Sequence, residues 1–115
     1  MRRGEIWLVE LEPVRGNEAN KRRPAVIVSN DSANSAATRR RRGVVTVVPV
    51  TSNVSHIRPF QVLLTAGETG LKLDSKAQAE QVRAVSVQLL GPSIGRLSGA
   101  LMAKIDEALR LHLAL

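Results

Sequence analysis

The sequence of 115 residues contains no cysteine and no tyrosine, and it has only one tryptophan and one phenylalanine. Without cysteine, disulfide bonds, thiolate zinc sites and a cysteine nucleophile are all excluded. Two aromatic side chains are too few for a protein that binds single strands mainly by stacking bases on aromatic rings. If the chain binds RNA, we therefore expect contacts made mostly by charge and by hydrogen bonds.

The residues that commonly hold metals form no clear ligand pattern either. The two histidines, His56 and His112, begin no H-x-x-x-H pattern, and the neighbouring Asp106 and Glu107 diverge on a helix. We therefore predict that the protein works without a metal ion or a cofactor. A ribonuclease that uses the two histidines as acid and base would need them to meet, which makes it the less favoured alternative. No P-loop, G-x-G-x-x-G or G-x-S-x-G motif is present.

The chain has no long apolar run. No segment approaches the roughly 18 apolar residues needed to cross a bilayer, and none follows the basic N-terminus as in a signal peptide. We expect a cytoplasmic protein with no membrane partner. The length fits one domain, which we place at residues 1–115.

Positive charge is in excess and unevenly distributed. Lysine and arginine number 17 against 10 acidic residues, and residues 1–58 hold 11 of the cations but only 5 of the acids. A basic half of this kind indicates a polyanionic partner, most often nucleic acid. The alternative is a charge that serves only solubility.

The hydrophobic pattern predicts a mainly β fold of five or six short strands with one C-terminal helix, arranged as a small barrel-like sheet. Ser98 is the predicted N-cap of that helix. Pro49 removes one ladder donor and predicts an edge position or a bulge. Residues 71–87 fit either helix or strand, and residues 91–95 are expected to break the chain. The predicted strands are residues 5–11, 24–29, 44–51 and 59–65.

Four segments stand outside this pattern. Residues 13–23 form a long polar loop, and residues 30–37 are rich in turn formers with room for one short helical turn. Residues 39–42 are four adjacent arginines, whose mutual repulsion predicts an exposed segment. Residues 109–115 are apolar nearly all round, so they either pack on several sides within the chain or bury a subunit interface.

Two residue positions suit chemistry at a phosphate. Arg23 directly precedes Pro24, which favours an extended and well-placed backbone. A guanidinium stays charged and grips two oxygens at once. Thr51 ends a predicted strand, where a hydroxyl can donate to a developing oxyanion. On the residues alone, a solvated cation and an ordinary strand threonine remain the alternative.

Six short motifs then occur in a characteristic order: RGEIW at 3–7, RGNE at 15–18, RPAVIVS at 23–29, VPVTS at 48–52, EQVR at 80–83 and IGRLS at 94–98. Over nearly its whole length the chain resembles the MazF/PemK family of toxin endoribonucleases from type II toxin–antitoxin pairs. The resemblance implies a small SH3-like β-barrel that acts as a homodimer. It also implies sequence-specific cleavage of single-stranded RNA or mRNA without metal, inhibition of translation, and a MazE-like antitoxin partner.

The resemblance further implies roles for individual residues. Arg23 matches the family's catalytic arginine and Thr51 its catalytic threonine, acting while the RNA 2′-hydroxyl attacks its own phosphate to leave 2′,3′-cyclic phosphate and 5′-hydroxyl ends. The RNA-binding residues implied are Arg15, Asn17, Glu18, Lys21, Arg22, Ser52, Glu80, Gln81 and Arg83. The basic segments 15–23 and 39–42 are expected to attract phosphates.

Two other interpretations stay open. CcdB-type toxins share the fold but bind DNA gyrase instead of cutting RNA, so fold alone does not decide the function. The second interpretation is that the chain is an interaction module whose basic charge is incidental.

Overall fold

The computed structural model describes residues 1–12 and 21–115. It contains seven strands and three α-helices within these ranges. The strands are β1 (Glu5–Glu12), β2 (Lys21–Ile27), β3 (Val44–Thr51), β4 (Gln61–Leu64), β5 (Ser75–Gln78), β6 (Arg83–Ser86) and β7 (Leu90–Arg96). The helices are α1 (Asp31–Arg40), α2 (Ala66–Thr69) and α3 (Gly99–Leu113), and two 3₁₀ turns cover Ala79–Gln81 and Val87–Leu89.

The strands form one antiparallel sheet in the order β4-β5-β3-β2-β1-β7, and β6 pairs with the first half of β3. The predicted mainly β class with a C-terminal helix is confirmed. The described strands leave the barrel open, since β4 and β7 stand at the two ends of the pairing order.

Side-chain alternation divides the sheet into two buried faces. Ile6, Val26 and Val48 point to a core that includes Ile105 of α3. The intervening residues of the same strands, such as Ala25, belong to a second core that includes Ala37 of α1. Helix α3 therefore covers one face of the sheet, and helix α1 covers the other.

The C-terminal helix begins where the sequence predicts. The Ser98 hydroxyl accepts a hydrogen bond from the Leu101 backbone N–H at 3.2 Å. The helix has one apolar face, since Leu101, Ile105 and Ala108 are buried and Leu109 packs against the same core. The last leucines of the chain are exposed, Leu115 at 84%.

Several segments differ from expectation in secondary structure, and the first is β2, which begins at Lys21 inside the predicted loop 13–23. The turn-rich stretch forms the ten-residue helix α1, because the Asn30 side chain caps it by accepting from the Ala33 backbone N–H at 2.8 Å. The fourth predicted strand is shorter, at Gln61–Leu64.

The glycines expected to break the chain lie inside β7 instead. A Cβ at Gly95 would stand 2.5 Å from the Thr69 carbonyl oxygen, and one at Gly91 would stand 3.1 Å from the Leu8 carbonyl oxygen. Gly91 therefore permits close approach of the β1 backbone, and Gly95 permits close approach of the end of α2.

Pro49 lies in a central strand whose pairing with β2 shows no register shift, so the expected edge position or bulge is wrong for β3 as a whole. The Thr46 carbonyl accepts from the Val28 N–H, which turns the even-numbered residues of β3 toward β2. The Pro49 nitrogen then faces the opposite side. There β6 pairs only as far as Val47, and β5 pairs from Val50 onward, so no ladder donor is needed between them.

In the ranges that the structure describes, no helix combines the length and the apolar character that a bilayer crossing requires.

Candidate functional site

A cleft of about 690 Å³ opens where β2 begins and β3 ends. Its volume lies within the range of small-ligand sites. Three cations line it, Arg22, Arg23 and Lys72. Three hydroxyl side chains also line it, Thr51, Ser52 and Ser75, and the remaining described lining residues are Leu8, Pro24, Val50, Gly70, Leu71, Leu73 and Ile94.

Sheet register explains why Arg23 and Thr51 share this cleft. β2 and β3 pair Ile27 with Val47 and Ala25 with Pro49. Continuing this register by two residues places Arg23 directly across from Thr51. Residues that face each other across neighbouring strands have Cβ atoms roughly 4.5–5.5 Å apart. The register of the two strands thus brings a cation and a hydroxyl into the same cleft.

The charge of the cleft is one-sided. No carboxylate occurs among its described lining residues. Within the described chain, the Arg23 guanidinium has neither a hydrogen bond nor an ion pair, whereas the Arg22 Nε lies 3.9 Å from a Glu10 carboxylate oxygen. Unpaired cations in a concave site attract anions such as a phosphate.

The Thr51 hydroxyl has a defined orientation. Its Oγ1 accepts a hydrogen bond from the Asn53 backbone N–H at 3.2 Å. A threonine hydroxyl carries one proton to donate as well as two lone pairs. Among the described residues that proton has no acceptor, so it is available to a bound anion.

A chain of hydrogen bonds holds the segment around Thr51. Asn53 accepts from the Ser55 hydroxyl at 2.8 Å through its side chain. The buried Lys76 donates from Nζ to the His56 carbonyl oxygen at 2.5 Å. Lys76 is in turn the register partner of Thr51 in the β3–β5 pair. These contacts connect Thr51 with the segment that ends at His56, and Lys76 joins that segment back to the strand beside Thr51. Together they restrict the position of the Thr51 hydroxyl.

The structure brings four of the predicted residues together, since Arg22, Arg23, Thr51 and Ser52 all line the cleft. Arg15, Asn17 and Glu18 lie outside the described residues, as does the side chain of Lys21.

The other three predicted RNA-binding residues do not line the cleft. Glu80 accepts a hydrogen bond from the Gln61 side-chain amide at 2.7 Å. Gln81 is exposed on a 3₁₀ turn. Arg83 donates from Nη1 to the Leu11 carbonyl oxygen at 2.9 Å.

Sequence reasoning missed Lys72 and Lys76. Both lie in residues 71–87, whose pattern fitted helix and strand equally well. Lys72 joins the cleft because the chain turns at Gly70, which has a left-handed φ of 84°. Gly70 is the one local signal of that turn, and nothing in the sequence marks Lys76 as buried.

Among the described side chains, the histidines and acidic residues form no second candidate site. His56 contributes its backbone carbonyl to Lys76, and the His112 ring lies near the Phe60 ring, with centroids 6.1 Å apart. Neither histidine lines the cleft. In the part of the chain that the structure describes, no three metal-ligating side chains gather.

Two carboxyl groups outside the cleft have perturbed acidity. Burial alone would raise the pKa of Glu5, but hydrogen bonds from the Arg2 N–H and the Trp7 indole outweigh it and lower that pKa. A hydrogen bond from the Arg3 N–H lowers the pKa of Asp31. Both groups stay ionised at neutral pH and tether the N-terminal segment.

Comparison with known proteins points to one family. The family profile described as "PemK-like, MazF-like toxin of type II toxin-antitoxin system" matches residues 2–113. The chain is 63% identical to endoribonuclease MazF9 of Mycobacterium tuberculosis, over 100% of this chain and 98% of that protein. It is 32% identical to endoribonuclease EndoA of Bacillus subtilis, over 100% of this chain and 96% of that protein.

A solved structure shares the fold. It is described as an endoribonuclease in complex with its cognate antitoxin from Mycobacterial species, and it is 26% identical to this chain. The two superpose with a TM-score of 0.75, over 100% of this chain and 96% of the other.

Proposed function

The chain belongs to the family of PemK-like, MazF-like toxins of type II toxin–antitoxin systems, and from this premise we propose that its cationic cleft cleaves RNA with Arg23 and Thr51. The chain is a MazF-like endoribonuclease toxin, as the relatives named above support. The observation that carries the assignment of residues is that Arg23 and Thr51 line one cleft, which has no carboxylate among its described lining residues.

The proposed reaction is an internal transesterification. The 2′-oxygen bonds to the adjacent phosphorus, the bond from phosphorus to the 5′-oxygen breaks, and the 2′-hydroxyl proton leaves while the 5′-oxygen gains one. The products are a 2′,3′-cyclic phosphate and a 5′-hydroxyl. Arg23 grips the non-bridging oxygens, whose charge increases in the transition state. Thr51 donates the free hydroxyl proton to one of them.

Arg23 has no part as a base in this mechanism, because an arginine side chain does not lose its proton in proteins. The role proposed for it is electrostatic, which suits a guanidinium without a partner among the described residues. Arg22 and Lys72 add charge to the same cleft and hold the flanking phosphates. Ser52 lies next to Thr51 and contacts the same strand of RNA.

We propose that specificity comes from the further RNA-binding residues that the family resemblance implies. The candidates are Arg15, Asn17, Glu18 and Lys21, together with Glu80, Gln81 and Arg83. RNA bases are commonly recognised in single-stranded form, where their hydrogen-bonding edges are free. We propose mRNA as the substrate class, cut at a short sequence without a metal ion.

The partners are proposed from the family and from the exposed surface. An acidic antitoxin segment suits the basic cleft and would compete with RNA. A homodimer would cover exposed leucines of α3 and its end, Leu111, Leu113 and Leu115. We further propose that residues 1–115 act as a single toxin domain and that the protein works in the cytoplasm.

The experiment is digestion of a long RNA by the purified protein, followed by mapping of cut sites and end groups. We expect 2′,3′-cyclic phosphate and 5′-hydroxyl ends in the presence of excess EDTA. Arg110→Ala serves as the control for Arg23→Ala, since it removes an exposed guanidinium of α3 outside the cleft. Cleavage of an all-deoxy strand, or full activity of Arg23→Ala, would contradict the mechanism.

The gyrase-binding alternative is not favoured, because the relatives are named endoribonucleases. RNA fragments in the digestion separate it from the proposed activity.

A further inference from the structure

A second pocket, of about 300 Å³, lies on the face of the sheet that packs α1. It shares no lining residue with the cleft. Trp7, Ala37 and Leu90 contribute apolar surface, and Thr38, Arg41 and Gln88 contribute polar groups. The volume stands at the lower end of small-ligand pockets, and a few polar groups on an apolar wall are typical of them.

Arg41 occupies a conformation that stability alone does not favour. It is the C-cap of α1 and has a left-handed φ of 53°. This region disfavours residues with a Cβ and is usually occupied by glycine at helix ends. Arg39 and Arg40 complement the dipole of the last helical turn, but that benefit does not require a third arginine in a strained position.

The arginine run (residues 39–42) is exposed along its whole length. In the described chain its guanidinium groups have no hydrogen bond and no ion pair. Four adjacent, unpaired cations repel one another and attract a polyanion. Charge complementarity therefore favours a phosphate backbone beside the pocket.

The pocket walls suit a nucleobase. The Trp7 indole N–H donates to Glu5 at 3.1 Å, which satisfies the ring's polar edge and fixes its orientation. The side-chain amide of Gln88 has no partner among the described residues and offers both donors and an acceptor. Stacking on an aromatic ring and hydrogen bonds to base edges are the usual means of binding single-stranded RNA.

We propose that this pocket binds one nucleotide of the RNA strand outside the cleavage cleft, with the base at Trp7 and Gln88 and the flanking phosphates at the arginine run. The proposal rests on the function proposed above, because it takes RNA as the substrate. β3 runs from the arginine run to Thr51 over eight residues, a span of roughly 23 Å at the usual rise of a strand. One RNA strand several nucleotides long covers both sites.

Trp7 is the single tryptophan of the chain, so its fluorescence reports on the pocket directly. The probe is a fully 2′-O-methylated single-stranded oligonucleotide, which lacks the attacking hydroxyl. We expect saturable quenching of Trp7 by a long oligonucleotide and none by a dinucleotide that fills only the cleft. Quenching that appears on raising the protein concentration without the oligonucleotide would mean that a second copy of the chain covers Trp7, and it would overturn the proposal.

Arg41→Gln should weaken oligonucleotide binding several-fold. It should also reduce the salt dependence, by about 0.7 in the log–log slope for each phosphate that the variant no longer neutralises. Arg110→Gln is the control, since Arg110 is an exposed arginine near the end of α3 that does not line the pocket, and it should leave both values unchanged. Equal effects of the two variants would overturn the proposal.

Arg41→Gly separates binding from structure. Glycine relieves the left-handed conformation, so Tm should rise by a few degrees while binding weakens as in Arg41→Gln. A raised Tm with unaltered oligonucleotide binding would show that Arg41 only ends the helix, and it would overturn the proposal.

The two proposals fail differently. If RNA is cleaved but Trp7 is not quenched, the nucleotide pocket is wrong and the nuclease function stands. If RNA is not cleaved but the Arg41-dependent quenching occurs, the pocket stands and the cleavage mechanism is wrong.

Discussion

Two cationic regions lie at opposite ends of β3 and differ in what surrounds the charge. The arginine run precedes the strand at a helix end, where its side chains are exposed. The cleft lies at the strand's other end, where it is lined by Arg23 and by a threonine whose hydroxyl is held by Asn53. Charge is greater in the first region, but only the second combines a cation with a fixed donor. Attraction of RNA and reaction with RNA therefore have different structural requirements.

The largest expected effect is that of Arg23→Ala on cleavage. Loss of one donor to a developing oxyanion typically lowers the rate by about 10²–10³, and here a charge is removed as well. Arg41→Ala should change the single-turnover cleavage rate at saturating RNA by less than about threefold, because a remote phosphate contact contributes to binding only. Single-turnover cleavage rates of both variants test whether the cleft and the arginine run differ in this way. Similar losses of rate in the two variants would contradict the difference.

Thr51→Val comes next. The change removes the hydroxyl while keeping a β-branched side chain suited to the strand, so we expect a loss in rate of about 10². Thr51→Ser retains the donor and should recover most of the rate. An inactive serine variant with an unchanged Tm would show that the methyl group, not the hydroxyl, is needed.

A smaller effect is expected for Lys76→Met, which acts through Thr51 rather than on RNA. The variant leaves the His56 carbonyl without its partner and loosens the segment that positions the threonine hydroxyl. We expect kcat to fall on the order of tenfold while KM stays nearly constant. Lys104→Met on α3 is the matched control. An unaltered kcat in Lys76→Met would show that the hydrogen-bond path does not position Thr51.

The smallest expected effect is on thermal stability at acid pH, and it concerns carboxyl groups at the end of the molecule that carries the arginine run. Glu5 has a pKa lowered from its ordinary value of 4.5, so its stabilisation is present above that value and is lost as pH falls through the lowered pKa. The pKa of Asp31 is lowered from 3.8, and its stabilisation has the same sign.

Glu5→Gln should therefore lower Tm slightly at neutral pH and should reduce the further fall of Tm below pH 4.5. Glu68→Gln on α2, outside this cluster, is the control. Because the Trp7 indole donates a hydrogen bond to Glu5, we expect Trp7 fluorescence to shift over the same range of acid pH. A wild-type Tm profile identical to that of Glu5→Gln would mean that the carboxylate does not stabilise this end.

Much of the fold could be predicted from local patterns. The strands around Val26 and Val48 are continuous apolar runs in the sequence, and Ser98 marks the start of α3. Residues 71–87 could not be assigned, because β5 and β6 have four residues each and show too few alternations to distinguish them from helix. Gly91 and Gly95 were expected to break the chain, although Gly91 permits close contact with β1 and Gly95 with the end of α2.

The candidate site, like the fold, could be predicted only in part from the sequence. Arg23 and Thr51 could be selected from the sequence because one precedes a proline and the other ends a strand, and because both lie in motifs shared with a family. Lys72 and Lys76 could not, since their importance depends on which strands become neighbours.

The sequence by itself determined the charge, the absence of cysteine, the apolar strands and the identity of the residues suited to phosphate chemistry, since all of these follow from composition and local spacing. Only the tertiary structure decided that Arg23 and Thr51 share one cleft and that Trp7 and Arg41 share another pocket. The physical reason is that strand register and helix docking are long-range, being fixed by burial of two cores at once.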